Sequence, residues 1–174
     1  LERDFRYLRD KYGDAGAREV FEKICVQLMQ LKFKDAYPVD VSRGDDGIDI
    51  FIGDFSDSID VYQCKYFIDG IGDSQKSQIR ESFNTAVSTD KYKLNNWFLC
   101  LPCVLNEKEH IWWWKWKKKM EDKYNRKIKL YDGSLLITQL KKYKLYDTLF
   151  DNETKILLNQ ILEYLQDKKG IIEK

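Results

Sequence analysis

At 174 residues the chain has room for one compact domain with its own apolar core and excludes a second of full size. A composition of 43% hydrophobic and 34% charged residues, with only 2 Pro and 9 Gly, excludes disordered and fibrous classes. The formal net charge of +1 lacks the strongly basic footprint of many nucleic-acid binders, so a case for a polyanionic substrate must rest on where the charges sit.

From the N-terminus, residues 14 to 33 carry Val20, Phe21, Ile24, Cys25, Leu28 and Leu31 at helical spacing, with Asp14 placed to cap the start. On that helix Glu22 falls on the flank of the apolar face and Glu19 on the far side, so Glu22 is the acid expected to line a pocket. Three short strands are expected next, over 37–41, 47–52 and 59–67, separated by Gly, Asp and Ser. The period of two sets Asp49 and Phe51 against Ile48, Ile50 and Ile52, and puts Val61, Gln63 and Lys65 on one face opposite Tyr62, Cys64 and Tyr66. A helix over 73–88, a strand over 96–104, a helix over 106–126, a strand over 127–131 and a helix over 134–150 with a serine cap follow. Helices interleaved with buried strands point to a three-layer α/β sandwich, a central mixed sheet flanked by helices. Residues 1–150 make up this domain. Residues 151–174 read as an amphipathic helix, with Ile156, Leu157, Ile161, Leu162 and Leu165 on one side, that either docks back or leads to a neighbouring domain.

The charges are unevenly spread. Residues 40–60 hold seven Asp against one Arg, and residues 105–129 hold nine Lys or Arg against four Asp or Glu, a pairing that suits a metal site beside a phosphate track. The four cysteines lie mostly in apolar runs, and the Cys100-Leu101-Pro102-Cys103 pair lacks the second half of a zinc site. With no secretory signal and no long apolar stretch, a cytoplasmic setting and no membrane partner are expected. A start at Leu1 rather than Met suggests a piece of a longer protein.

Chemistry concentrates in Arg43-Gly44-Asp45-Asp46-Gly47-Ile48-Asp49, followed fourteen positions after Asp49 by Gln63-Cys64-Lys65. Phosphodiester hydrolysis calls for a divalent cation, and hard oxygens such as those of Asp49 and Gln63 suit Mg²⁺. Lys65, two positions beyond Gln63 on the same face, can orient the attacking water or offset charge growing on the phosphate. Asp45 or Asp46 is an alternative ligand, placed second because the flanking glycines suggest a turn.

Together these residues resemble the Mrr-like branch of the PD-(D/E)xK nuclease superfamily, and the resemblance covers most of the chain. It implies the restriction-endonuclease-like fold and a metal-dependent endodeoxyribonuclease, an effector of anti-phage defence. Its catalytic residues would be Glu22, Asp49, Gln63 and Lys65, and Mg²⁺, with Mn²⁺ as a substitute, would sit on Asp49, Gln63 and the main-chain carbonyl of Cys64. Duplex DNA would be the substrate, with a fused sensor or NTPase domain and a homo-oligomeric state. The helix after Gln-Cys-Lys, with Gln78, is similar to that of nuclease domains fused to defence NTPases. The superfamily's more usual Glu is Gln63 here, one anionic ligand fewer. This departure motivates the alternative of an inactive nucleic-acid-binding or protein-docking module; an RNase or junction resolvase would use the same residues. Lys117, Lys118 and Lys119 are expected at the substrate backbone, whereas Trp112, Trp116 and Met120, at i, i+4 and i+8, are expected in the core. His110, the only histidine, is expected at the surface without a catalytic role.

Overall fold

The computed structural model describes residues 2–40 and 48–172. Its elements in chain order are α1 (Arg6–Lys32), β1 (Ala36–Pro38), β2 (Ile50–Gly53), β3 (Ser58–Cys64), α2 (Asp73–Ser88), β4 (Lys93–Cys100), α3 (Glu107–Tyr124), β5 (Lys127–Tyr131), α4 (Gly133–Lys142), α5 (Tyr146–Leu149) and α6 (Glu153–Ile172). Among the described residues five strands form one mixed sheet in the order β1-β2-β3-β4-β5. The pairs β1/β2 and β2/β3 are antiparallel, and β3/β4 and β4/β5 are parallel.

The change of sense at β3 follows from the connections. Between β2 and β3 the chain turns tightly, with Asp54 accepting from the amide of Ser56 at 2.8 Å and Gly53 at φ +116°. The links from β3 to β4 and from β4 to β5 run instead through α2 and α3, the crossovers that parallel pairing requires. Caps fix where those helices begin. Asn106 and Glu109 exchange side-chain and main-chain hydrogen bonds at 2.9 Å at the start of α3, and Asn125 ends it in the left-handed region at φ 50°. At α4 the cap is Asp132, which accepts from the Leu135 amide at 2.9 Å, rather than the expected Ser134. Ser134 donates its hydroxyl to that same carboxylate.

Strand alternation divides the apolar residues between two cores, one on each face of the sheet. Ile50, Tyr62, Phe98 and Cys100 pack with Phe5, Leu8, Phe21, Ile24 and Leu28 of the N-terminal region and with Leu136, Leu140, Tyr146 and Phe150. Ile59, Val61, Trp97, Leu99 and Ile128 pack on the opposite side against Ile79 and Phe83 of α2 and Trp113 and Trp116 of α3. Helices thus flank the sheet on both faces, compatible with the expected three layers.

Several expectations are corrected in detail. The first helix begins earlier, because residues 6–12 are helical too and join the rest through Gly13, whose φ 72° and ψ 175° are open essentially only to glycine. Ile48 packs with the α2/α3 core, not with Ile50, since β2 starts only at Ile50. On α3 the fully buried ring is Trp113, beside Trp116; Trp112 and Met120 are only partly covered, and Trp114 is exposed. The helix expected over 134–150 breaks into α4 and α5 around Lys144, at φ 58°. On α6 the apolar side is left open, with Leu157, Leu158, Ile161, Leu162 and Leu165 each roughly half exposed. No helix among the described residues is long and apolar enough to cross a membrane.

Candidate functional site

A cavity of about 230 Å³ opens at the C-terminal end of β3, lined by Arg18, Phe21, Glu22, Asp49, Gln63, Cys64, Lys65, Tyr66, Phe67 and Gln78. It lies where the sheet changes from antiparallel to parallel pairing, the kind of strand-end position at which open α/β sheets hold ligands. Arg18 and Glu22 enter from α1, Gln78 from α2, and Asp49, Gln63 and Lys65 from the strand ends between them.

Asp49 sits one residue before β2, but its backbone already belongs to the ladder. Its amide donates to the Tyr62 carbonyl at 3.3 Å, and its carbonyl accepts from Val39 at 3.0 Å. This double anchorage aims the carboxylate at β3, where Oδ2 accepts from Gln63 Nε2 at 2.9 Å and from the Cys64 amide at 2.7 Å. Burial pushes the Asp49 carboxyl up to about 7; the Cys64 amide and the Lys65 charge oppose that rise, and the Glu22 and Cys100 charges add to it.

Gln63 is 6% exposed. Its amide nitrogen is used on Asp49 while its oxygen, Oε1, is buried with no hydrogen-bond partner among the described residues. A buried amide oxygen left in that state is costly, and a donor or a cation would relieve it. Lys65 extends the parallel ladder one step past β3, its amide donating to the Cys100 carbonyl at 3.1 Å, and its side chain is half-buried in the cavity wall. The next residue is pinned from the other side: the Tyr66 hydroxyl donates to the Phe5 carbonyl at 2.7 Å, and Arg9 pairs with Asp69 at 2.8 Å. The helical segment before Gly13 therefore clamps the loop that follows Lys65.

The structure thus brings together Glu22, Asp49, Gln63, Cys64, Lys65 and Gln78 from four separate stretches of sequence. It does not bring Lys117, Lys118 or Lys119 to them. Lys117 is paired with Glu121 at 2.9 Å and lies over the Trp114 ring, and Lys118 and Lys119 are exposed on the part of α3 that runs toward the start of β5, away from the end of β3. His110 does not line the cavity. Asp45 and Asp46 lie outside the described residues.

One cavity residue passed over in the sequence is Arg18, a cation one turn before Glu22 whose i, i+4 spacing was the available signal. A larger groove of about 590 Å³ between α1 and β1 shares Glu22 but holds none of Asp49, Gln63 or Lys65, so size is a poor guide to the chemistry here.

For a divalent cation, the cavity lining offers the carboxylates of Asp49 and Glu22, the amide oxygen of Gln63 and the main chain of Cys64. These are hard oxygens of the kind Mg²⁺ takes, and the orphaned Oε1 of Gln63 is an atom that such an ion would satisfy. No family model, curated protein or solved structure matches this chain.

Proposed function

We propose that this chain is a metal-dependent DNA endonuclease domain with a PD-(D/E)xK active site on a restriction-endonuclease-like fold, serving as an effector in anti-phage defence. The observation that carries the reading is the meeting of Asp49, Gln63 and Lys65 at the end of β3 with Glu22 facing them across one small cavity. Asp49, Gln63 Oε1 and the Cys64 carbonyl would hold Mg²⁺. Bound there, the cation supplies Lewis acidity toward the phosphate and the attacking water.

The chain's own groups do the rest. Lys65, beside the ligands, places a positive charge where negative charge grows as water adds to phosphorus and the ester P–O bond breaks. Arg18 and Gln78 stand at the cavity wall as a cation and an amide suited to a phosphate oxygen. Glu22 faces Asp49 and supplies the anionic charge that neutral Gln63 lacks. Asp49 is held in position by the Cys64 amide, so the strand that carries Lys65 also fixes the ligand.

The test is digestion of plasmid DNA with Mg²⁺ or Mn²⁺, blocked by EDTA, with single-stranded, junction and RNA substrates in parallel. Cleavage lost in Lys65→Ala and Asp49→Ala supports the reading; either variant cutting at the wild-type rate refutes it. One observation favours an inactive binding module instead: the Asp49 to Gln63 hydrogen bond closes the ligand set on itself. DNA binding without EDTA-sensitive cleavage would select that alternative.

A further inference from the structure

The sulfur atoms of Cys25, Cys64 and Cys100 all lie within 4.8 Å of one another, although the residues come from α1, β3 and β4. Cys64 and Cys100 are directly opposed partners on parallel strands, so their side chains leave the sheet on the same face. Cys25 comes down onto them from α1, one turn beyond Phe21. Cys25 and Cys100 are fully buried, and Cys64 is half-buried and reaches the wall of the cavity that holds Asp49. Cys103, the other half of the CxxC, packs in the core on the opposite face of the sheet.

A buried cysteine often serves only as a small apolar side chain. Three that converge from separate elements also make a soft ligand set, whose spacing can be checked against metal geometry. Three sulfurs each ~2.3 Å from a central ion in a trigonal plane stand ~4.0 Å apart. The cluster is therefore within an ångström of the required arrangement. Among the described residues no further His, Cys, Asp or Glu joins the group, which favours an ion content with three sulfurs. Thiolate ligands select soft cations and leave hard ones such as Mg²⁺ to oxygen.

We propose that Cys25, Cys64 and Cys100 form a three-thiolate site for a soft d¹⁰ cation of the monovalent-copper type, separate from the hard-oxygen donors of Asp49 and Gln63. Binding releases the thiol protons to solvent and involves no electron transfer. The ion would tie α1 to β3 and β4 directly behind the Cys64 amide that holds Asp49, bracing the strand end that carries Gln63 and Lys65.

Cd²⁺ is the probe. The reduced chain is titrated with Cd²⁺ in excess Mg²⁺, and the near-ultraviolet thiolate-to-cadmium absorption should saturate at one equivalent. It should be lost in Cys25→Ala and Cys100→Ala and kept in Cys103→Ala, each checked for fold by circular dichroism. X-ray absorption of the cadmium-loaded wild-type chain should find a shell of three sulfurs, a measurement that decides the matter even if the variants do not fold. Absence of a saturating band, a band unchanged in folded Cys25→Ala, or a shell dominated by oxygen would overturn the proposal. None of these results depends on cleavage of DNA.

Discussion

Replacing Asp49 with Asn should stabilise the cation-free protein above neutral pH, because the native fold holds this carboxyl in a place that disfavours its charge. The carboxyl rises from an ordinary 3.8 to about 7, chiefly through burial. A displacement of that size makes the ionised form costlier in the fold than in water by roughly 4 kcal/mol, at about 1.4 kcal/mol for each tenfold change in proton affinity. Between the two values the folded protein binds the extra proton. The contribution of Asp49 to stability is therefore complete below about 3.8 and is lost as pH rises through about 7. Carboxylates with the opposite displacement, such as Asp4 beside Arg6 and Glu121 at the Ile128 amide, lose stability in acid and would mask the effect in the wild-type curve alone. The difference between wild type and variant cancels them. Asparagine should also fit: with its oxygen in the place of Oδ2 it can accept from both the Cys64 amide and Gln63 Nε2, as the carboxylate does now. Urea unfolding in EDTA should therefore give nearly equal stabilities at pH 4 and an advantage of about 2 to 4 kcal/mol for Asp49→Asn at pH 8. Adding Mg²⁺ at pH 8 should stabilise the wild type and leave the variant unmoved. A wild-type-to-variant difference that stays constant from pH 4 to pH 8 would refute the reasoning.

Lys65→Ala should cut plasmid DNA about 10²-fold or more slowly than wild type with an unchanged circular dichroism spectrum, since what is removed is a positioned charge at the reacting phosphate. Gln63→Glu brings a second carboxylate to the position from which Nε2 now donates to Asp49 at 2.9 Å; it should lower the thermal midpoint in EDTA and raise it more than in wild type when Mg²⁺ or Mn²⁺ is added, as read by calorimetry. Gly133→Ala should destabilise the chain by about 2 kcal/mol or more in denaturant titration, because the added Cβ would stand 2.2 Å from the Pro102 carbonyl oxygen, a backbone atom that cannot swing aside.

Much of the fold was legible because period and punctuation agreed. The α2 and β5 boundaries match the expected 73–88 and 127–131, where helical or alternating apolar residues stop against Gly, Asp or Asn. The segment before Gly13 escaped notice because it is covered by tertiary packing: Phe5 and Leu8 enter the core, but seven helical residues carry too short a period to announce themselves. Trp112 and Trp113 were exchanged for a related reason. Consecutive aromatics give no periodic signal, and the orientation of α3 against Phe83 and Trp97 decides which ring is enclosed.

The candidate site was legible to a different depth in each part. Gln63 and Lys65 could be paired from the period of two alone, since a single strand carries both. Glu22 could be placed on a helix flank, but nothing in the sequence says that the flank faces the end of β3. The cysteine cluster was out of reach, because its existence depends on Cys64 and Cys100 falling opposite each other across a parallel pair whose strands are joined by α2. A hairpin fixes its register through its turn, whereas a crossover leaves the register to packing. Here the register is settled far from the cysteines, at the other end of β3. Asp60 gathers the amide and side-chain nitrogens of Asn96 and the side-chain nitrogen of Asn95 at 2.9 to 3.1 Å, beside the irregularity between Ile59 and Val61. Moving β4 by one residue along β3 would send Cys100 to the opposite face and part the three sulfurs. It would also shift the Cys100 carbonyl that now receives the Lys65 amide. The same pairing that assembles the sulfur cluster therefore sets where Lys65 leaves the sheet, and the two sites stand or fall on one register.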